Sequence, residues 1–289
     1  MKRLHFISPF FTFPFGALLS FVLPFTCFVF IFLAKKSWLL AFFLTTNGSV
    51  INSSPQKTAE LTIAAAANVQ FAMEELKTVF EKQKKRSVAL IIGSSGKLTA
   101  QITQGAPYDV FVSADVEYPK NLIDAGKAQA PVQVYAFGTL VLWTTKKIDL
   151  KPGLEVLKDS KIEKIALANP RNAPYGEAAM LVLEKKGLLP AVKAKLIIGE
   201  SIAQTNQYIL SGACDVGITA QSSVLAQPTL GKGSWVPIDT LLYHPIAQGA
   251  VVTEYGHQHA PEAAKQFLAF LKSSKAKAIL KRNGYILAR

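Results

Sequence analysis

The sequence predicts a two-lobed α/β fold in which each lobe is a mainly parallel sheet flanked by helices. Three observations carry it. From residue 58 onward, short β-branched apolar runs alternate with amphipathic stretches of helical length, the pattern of βαβ units. Two apolar runs, near Gly138 and near Tyr243, have the character of strands that cross between lobes. Four strand–loop–helix junctions, two per predicted lobe, carry small or uncharged residues at their tips.

The chain has 289 residues and a formal charge of +13. Residues 1–57 are set apart: they hold five Lys/Arg and no acid, and Leu4 to Ala34 is free of formal charge. Two readings of this leader stand. Phe13 to Ala34 is long enough for a membrane anchor, about 20 residues, although Pro14 and Pro24 weaken it. Alternatively Lys35–Lys36, the apolar SWLLAFFL and the polar TTNGS are the three parts of a secretory signal. In that case the first 33 residues are superfluous, and cleavage falls between Thr45 and Ala59. Residues Pro24, Phe25 and Thr26 before Cys27 make a poor lipoprotein signal. On either reading the body is exported.

Without the leader the balance is +8, which raises encounter rates with anions. No basic cluster interleaved with aromatics tracks a groove, so nucleic acid is not an expected partner. The densest basic run, Lys82 to Arg86, suits a helix C-terminus. Cys214 is the one cysteine of the body, which leaves it no internal disulfide, and SGACDVGI reads as a place for a small buried side chain.

The body opens with LTIAAAANVQF, Leu61 to Phe71: a strand, a loop of alanines reaching Asn68, then a helix. Val69, Ala72, Met73, Leu76, Val79 and Phe80 form that helix's apolar stripe. SVALII is the next strand and runs into GSSGKL. This is no Walker A loop, because Ile91 stands where the first glycine would be. It is either a glycine-rich turn presenting N–H groups and hydroxyls or an ordinary serine cap. YDVFVSAD is a strand with Asp115 capping the helix after it. YAFGTLVLWT, interrupted at Gly138, is the first crossing. KIALA is a strand, and NPRNAPYG opens a helix at Tyr175–Gly176. AKLIIGES is a strand leading into a helix at Ile202, and DVGITAQ is another. Leu241 to Thr253 is the return crossing, and Pro261 starts the closing amphipathic helix. The predicted divisions are a leader at 1–57, a first lobe of 58–137 plus 243–289, and a second lobe of 138–242.

The four junctions place Asn68, Ser95, Tyr175 and Ile202 around a common cleft at the carboxyl ends of strands. Each brings unpaired N–H groups and the positive end of a helix dipole. The side chains on offer are amide, hydroxyl, phenol and aliphatic. A cage of donors suits an anion that carries no proton. Phosphate keeps one near neutral pH and would want a carboxylate acceptor; Glu200, the one acid near a tip, is expected to point away.

AAAAN, GSSGKL, DVFVSAD, NPRNAPYG, DVGI and FLAFLKSSKAKAILKRNGY, in this order and spacing, resemble the periplasmic molybdate-binding proteins of ABC transporters. The resemblance covers Leu61 to Arg289. It implies a two-lobed periplasmic-binding-protein fold, no enzymatic activity and hence no catalytic residues, no cofactor and no bare metal cation. It also implies molybdate or tungstate as ligand, an ABC permease as partner, and a periplasmic monomer that meets the membrane only through its leader. The family's anion contacts match Asn68, Ser95, Tyr175 and Ile202. Asn68 stands where some members have serine, so its amide is expected to replace a hydroxyl donor. Ala220 stands where some members have an anion-contacting tyrosine, and Tyr175 stands where those members have alanine, so the phenol is expected to have changed loops. Rival readings are a carrier of sulfate, phosphate or a ferric complex, and an enzyme on the same two-lobed fold. His257 and His259 resemble a metal pair but read as solvated surface.

Overall fold

A computed structural model describes residues 60–287. The leader, its anchor and signal readings, the cleavage range and Cys27 lie outside the described residues.

Eleven described strands build two sheets. The first contains β1 (Leu61–Ala66), β2 (Val88–Gly93), β3 (Val110–Val112), β4 (Gln133–Gly138), β10 (Ile246–Val252) and β11 (Ile286–Leu287), in the order β11-β4-β10-β3-β1-β2. The second contains β5 (Leu140–Thr144), β6 (Ile165–Ala168), β7 (Leu196–Gly199), β8 (Val216–Ala220) and β9 (Ser234–Pro237), in the order β7-β6-β8-β5-β9. The apolar run at 135–144 is thus divided between sheets, with β4 ending at Gly138 and β5 starting at Leu140.

Helices α1 (Gln70–Lys84), α2 (Ser95–Thr103) and α3 (Glu117–Asp124) connect strands of the first sheet. Helices α4 (Pro174–Lys185), α5 (Leu189–Val192), α6 (Ile202–Leu210) and α7 (Gln221–Leu225) belong to the span that forms the second. Three more, α8 (Glu254–His259), α9 (Pro261–Leu271) and α10 (Ser274–Arg282), follow β10.

The sheets are mixed rather than mainly parallel. β1 pairs in parallel with β2 and β3, and β6 with β7 and β8. The strands that cross between sheets join antiparallel: β10 to β3 and β4, and β5 to β8 and β9. The parallel ladders come from helical crossovers, which return the chain in the same direction. A strand entering from the other sheet has no such constraint.

Alternate residues of β1 face opposite cores, as the strand pleat requires. Ile63 and Ala65 pack with α1, α9 and α10, while Ala64 packs with Leu98, Phe111, Leu122 and Val251 on the α2–α3 side. The core of the second sheet reaches across to Ala66, Ala67 and Ala114, so the two halves share apolar contact beneath the cleft. Cys214 is buried in a separate cluster on the other face of that sheet, among Val141, Trp143, Ala166 and Ile209. Lys82 and Lys84 fall in the last turn of α1, and Lys85 caps it in the left-handed conformation.

Phe80 sits edge-on to Phe267 at 5.2 Å and tilted against Phe270 at 5.5 Å, joining α1 to α9 in a fully buried cluster. Phe80→Ala is expected to lower unfolding free energy by about 3–5 kcal/mol, measured by chemical denaturation.

Candidate functional site

The four junctions meet. Ala66, Ala67, Asn68, Ser94, Ser95, Ala114, Ala173, Pro174, Tyr175 and Ile202 line one small cavity between the two halves. None of these side chains is charged. About 200 Å³ lies around and between the wall atoms, open mouth included, of which about 10 Å³ admits the centre of a water-sized sphere, the room of about one water. A much larger hollow, about 770 Å³ on the latter measure, lies against α9 and the start of β4, and none of the junctions opens into it.

Ser95, Tyr175 and Ile202 occupy the first turns of α2, α4 and α6. The N–H groups of a first turn have no partner within their own helix. Asn68 lies in a single 3₁₀ turn that leads from β1 into α1. The alanines before it keep side chains out of the approach to this backbone.

The two serines of GSSG have different tasks. Ser94 is the residue preceding α2, yet its side chain makes no capping bond, and its hydroxyl is buried without a partner. Ser201, by contrast, caps α6 in the ordinary way by accepting from the Gln204 N–H. Ser95 Oγ accepts the Ala114 N–H at 3.0 Å, which leaves its own hydrogen available. The ordinary serine cap is therefore not what GSSG forms. Sequence reasoning singled out Ser95 and passed over Ser94; the only signal was a pair of adjacent hydroxyls.

Asn68 is bound differently from the expectation. Its Nδ2 reaches Gln248 Oε1 at 2.7 Å, Tyr285 Oη at 3.0 Å and Tyr175 Oη at 3.4 Å. Gln248 Nε2 donates to the carbonyls of Ala114 and Ile246, which fixes Oε1 as an acceptor and so fixes Asn68 with its nitrogen toward it. The side-chain amide that was to replace a hydroxyl donor is already engaged. What Asn68 can still donate to the cavity is main-chain N–H. Its carbonyl is held by Ser222 Oγ and Tyr285 Oη, each at 2.8 Å, and its Oδ1 is buried without a partner.

Tyr175 is 1% exposed. Its hydroxyl lies over Gly138, where any β-carbon would overlap it. It accepts from Asn68 and, among the described residues, donates its hydrogen to none. Burial raises the Tyr175 and Tyr285 phenols well above their ordinary range, so both remain neutral donors. Ala220 is buried at the start of α7 and does not line the cavity.

Carboxylates stand outside the cage. Asp115 accepts from the Tyr118 N–H at the start of α3. It lines a separate hollow with Glu117, Glu177 and His244, of which Pro174 alone is shared with the cage. Burial, reinforced by Glu117 and Glu177, raises its carboxyl to about 6. Glu200 turns to Lys97 across the cleft mouth at 2.8 Å, both side chains about half exposed. His257 and His259 are exposed on α8, His259 stacked on Tyr255.

The mouth is closed by contacts between the halves. Gly96 N–H donates to the Asn172 carbonyl at 2.9 Å, and Tyr118 Oη to the Arg171 carbonyl at 3.2 Å. The exposed Lys97–Glu200 pair adds little by itself. Gly96 permits the approach: a β-carbon there would sit 2.8 Å from Asn172 Cβ.

Residues 61–286 match the family model described as bacterial extracellular solute-binding protein. A molybdate-binding protein of Rhodobacter capsulatus is 38% identical over 80% of this chain and 90% of its own. One of Azotobacter vinelandii is 36% identical over 86% of this chain and 98% of its own. The solved structure of the Azotobacter vinelandii periplasmic molybdate-binding protein superposes with a TM-score of 0.75, covering 79% of this chain and all of that one.

Two outcomes are expected here. Gly96→Ala should weaken ligand binding about ten-fold or more, since overpacking of this kind costs about 1–3 kcal/mol and falls on the closed form; calorimetric titration measures it. An acid whose value is raised in the folded state loses stability as pH rises. Between the unfolded value of 3.8 and about 6 the unfolded chain ionises first, so Asp115 should cost up to about 3 kcal/mol by the top of that window. Asp115→Asn should flatten the slope of stability against pH there.

Proposed function

Because the chain belongs to the bacterial extracellular solute-binding proteins, we propose that it captures molybdate, and tungstate with it, and delivers it to an ABC permease. The observation that carries the reading is the convergence of Asn68, Ser95, Tyr175 and Ile202 on one uncharged cavity. The identities above support molybdate as the anion.

In this reading Ser95 gives its hydroxyl hydrogen to the anion, and the main-chain N–H groups of Asn68, Ser95, Tyr175 and Ile202 complete the cage. Ser94 adds a second hydroxyl. The anion's charge is met by helix ends and hydrogen bonds already in place. Residues 58–137 plus 243–289 act as one lobe and 138–242 as the other, and the membership of the two sheets supports that division. The body works in the periplasm as a monomer, exported by the leader at 1–57.

Hydrogen phosphate is the second reading. It carries a proton, and Asn68 Oδ1 is a buried acceptor without a partner in a residue that lines the cage.

Calorimetric titration with molybdate, tungstate, sulfate and phosphate separates these, with emission from Trp143 and Trp235 as a second readout. Molybdate and tungstate are expected to bind, sulfate at least about ten-fold more weakly, a gap of about 1.4 kcal/mol, and phosphate not measurably. Sulfate equal to molybdate would overturn the specificity, and saturable phosphate binding would favour the second reading. Ser95→Ala should lose about 1.5–3 kcal/mol of molybdate affinity, the range for a hydrogen bond to a charged group. Tyr175→Phe with unchanged affinity would confine Tyr175 to its main-chain N–H.

A further inference from the structure

Gln248 does not line the cage, yet its hydrogen bonds end on two of the loops that do. It is fully buried on β10, at the bulge between Gln248 and Gly249. Its Nε2 donates to the Ile246 carbonyl at 2.9 Å and to the Ala114 carbonyl at 3.0 Å. Its Oε1 accepts Asn68 Nδ2 at 2.7 Å. The N–H of the same residue, on the preceding peptide group, goes to Ser95 Oγ at 3.0 Å. One amide therefore spans the return strand, the end of β3 and the loop after β1. It also abuts the other crossing strand, since a β-carbon on Gly138 would come within 3.2 Å of Nε2.

We propose that Gln248 is a positioning residue for the anion, a step that rests on the oxyanion reading above. It fixes the distance between the Asn68 loop and the Ser95 hydroxyl, and through that distance the size of tetrahedral anion that fits. Both links are directional. The amide can face only one way, because a reversed Gln248 would set its oxygen against two carbonyls. The orientation of Asn68 follows from that of Gln248, and the Ser95 hydrogen is left free because Ala114 occupies its acceptor side. Without the amide the fold keeps its ladders on either side of the bulge, but the two loops lose their common reference.

The test is a double-mutant cycle on the full-length protein, titrated with molybdate and with sulfate: wild type, Gln248→Met, Asn68→Ala and the pair. Gln248→Met is expected to bind molybdate about ten- to a hundred-fold more weakly, the usual cost of losing a partner that orients a ligand group. Its preference for molybdate over sulfate should narrow. In the Asn68→Ala background the same substitution should cost much less, because coupled residues are non-additive. A residue that merely supports the fold would lower ligand-free melting without narrowing the preference, and its cost would add to that of Asn68→Ala. If Gln248→Met does not fold, Gln248→Asn keeps the amide but falls one methylene short of its three partners, and it carries the same expectations. Wild type that binds molybdate while Gln248→Met matches it in affinity and preference, or strict additivity, overturns this inference alone. Wild type that binds no tetrahedral oxyanion overturns the anion reading and this inference with it.

Discussion

The cleft is organised by the hydrogen bonds of Asn68. Its amide nitrogen is taken by Gln248 and Tyr285, and its carbonyl by Tyr285 and Ser222. Those partners come from the return strand, the end of the chain and the helix after β8, so one residue ties both sheets together. A buried polar residue left half-satisfied is costly. The arrangement therefore holds the first loop in one conformation, with its amide turned to the protein. On the proposed reading the loop's donor to the anion is main-chain, and main-chain groups do not titrate.

Neutrality is the consequence. A lysine or arginine in the wall would attract any anion, and burying it empty would carry a large desolvation cost. A wall of N–H and O–H groups is inexpensive to keep empty and directional when filled. On the proposed reading, selectivity depends on spacing rather than charge, and spacing on the groups behind the wall. The nearby carboxylates stay out of that wall. Asp115 is occupied with the start of α3, and Glu200 with Lys97 at the rim.

What was legible in the sequence was local. An apolar run, alanines and a helical stripe define the β1–α1 junction without help from the rest of the chain. The same logic found the GSSG, NAPYG and GESI junctions, and the glycine inside an apolar run marked the break between β4 and β5. What was not legible depended on distant partners. The direction of the Asn68 amide is set by a residue 180 positions away and by a tyrosine 217 positions away. Adjacent serines cannot be ranked from spacing, because the choice was made by the Ala114 N–H. The antiparallel joins escaped for a similar reason, since βα alternation says nothing about how a crossing strand docks. The short strands β9 and β11, neither with a buried residue, are too brief to leave a pattern.

Tyr285 has a further consequence through its place in the chain. The loop it braces is made near the beginning of the folded body, and Tyr285 itself near the end, four residues before Arg289. During synthesis every helix of the described fold is complete before the phenol beneath Asn68 exists. The brace under the first loop is thus made after every helix that surrounds it.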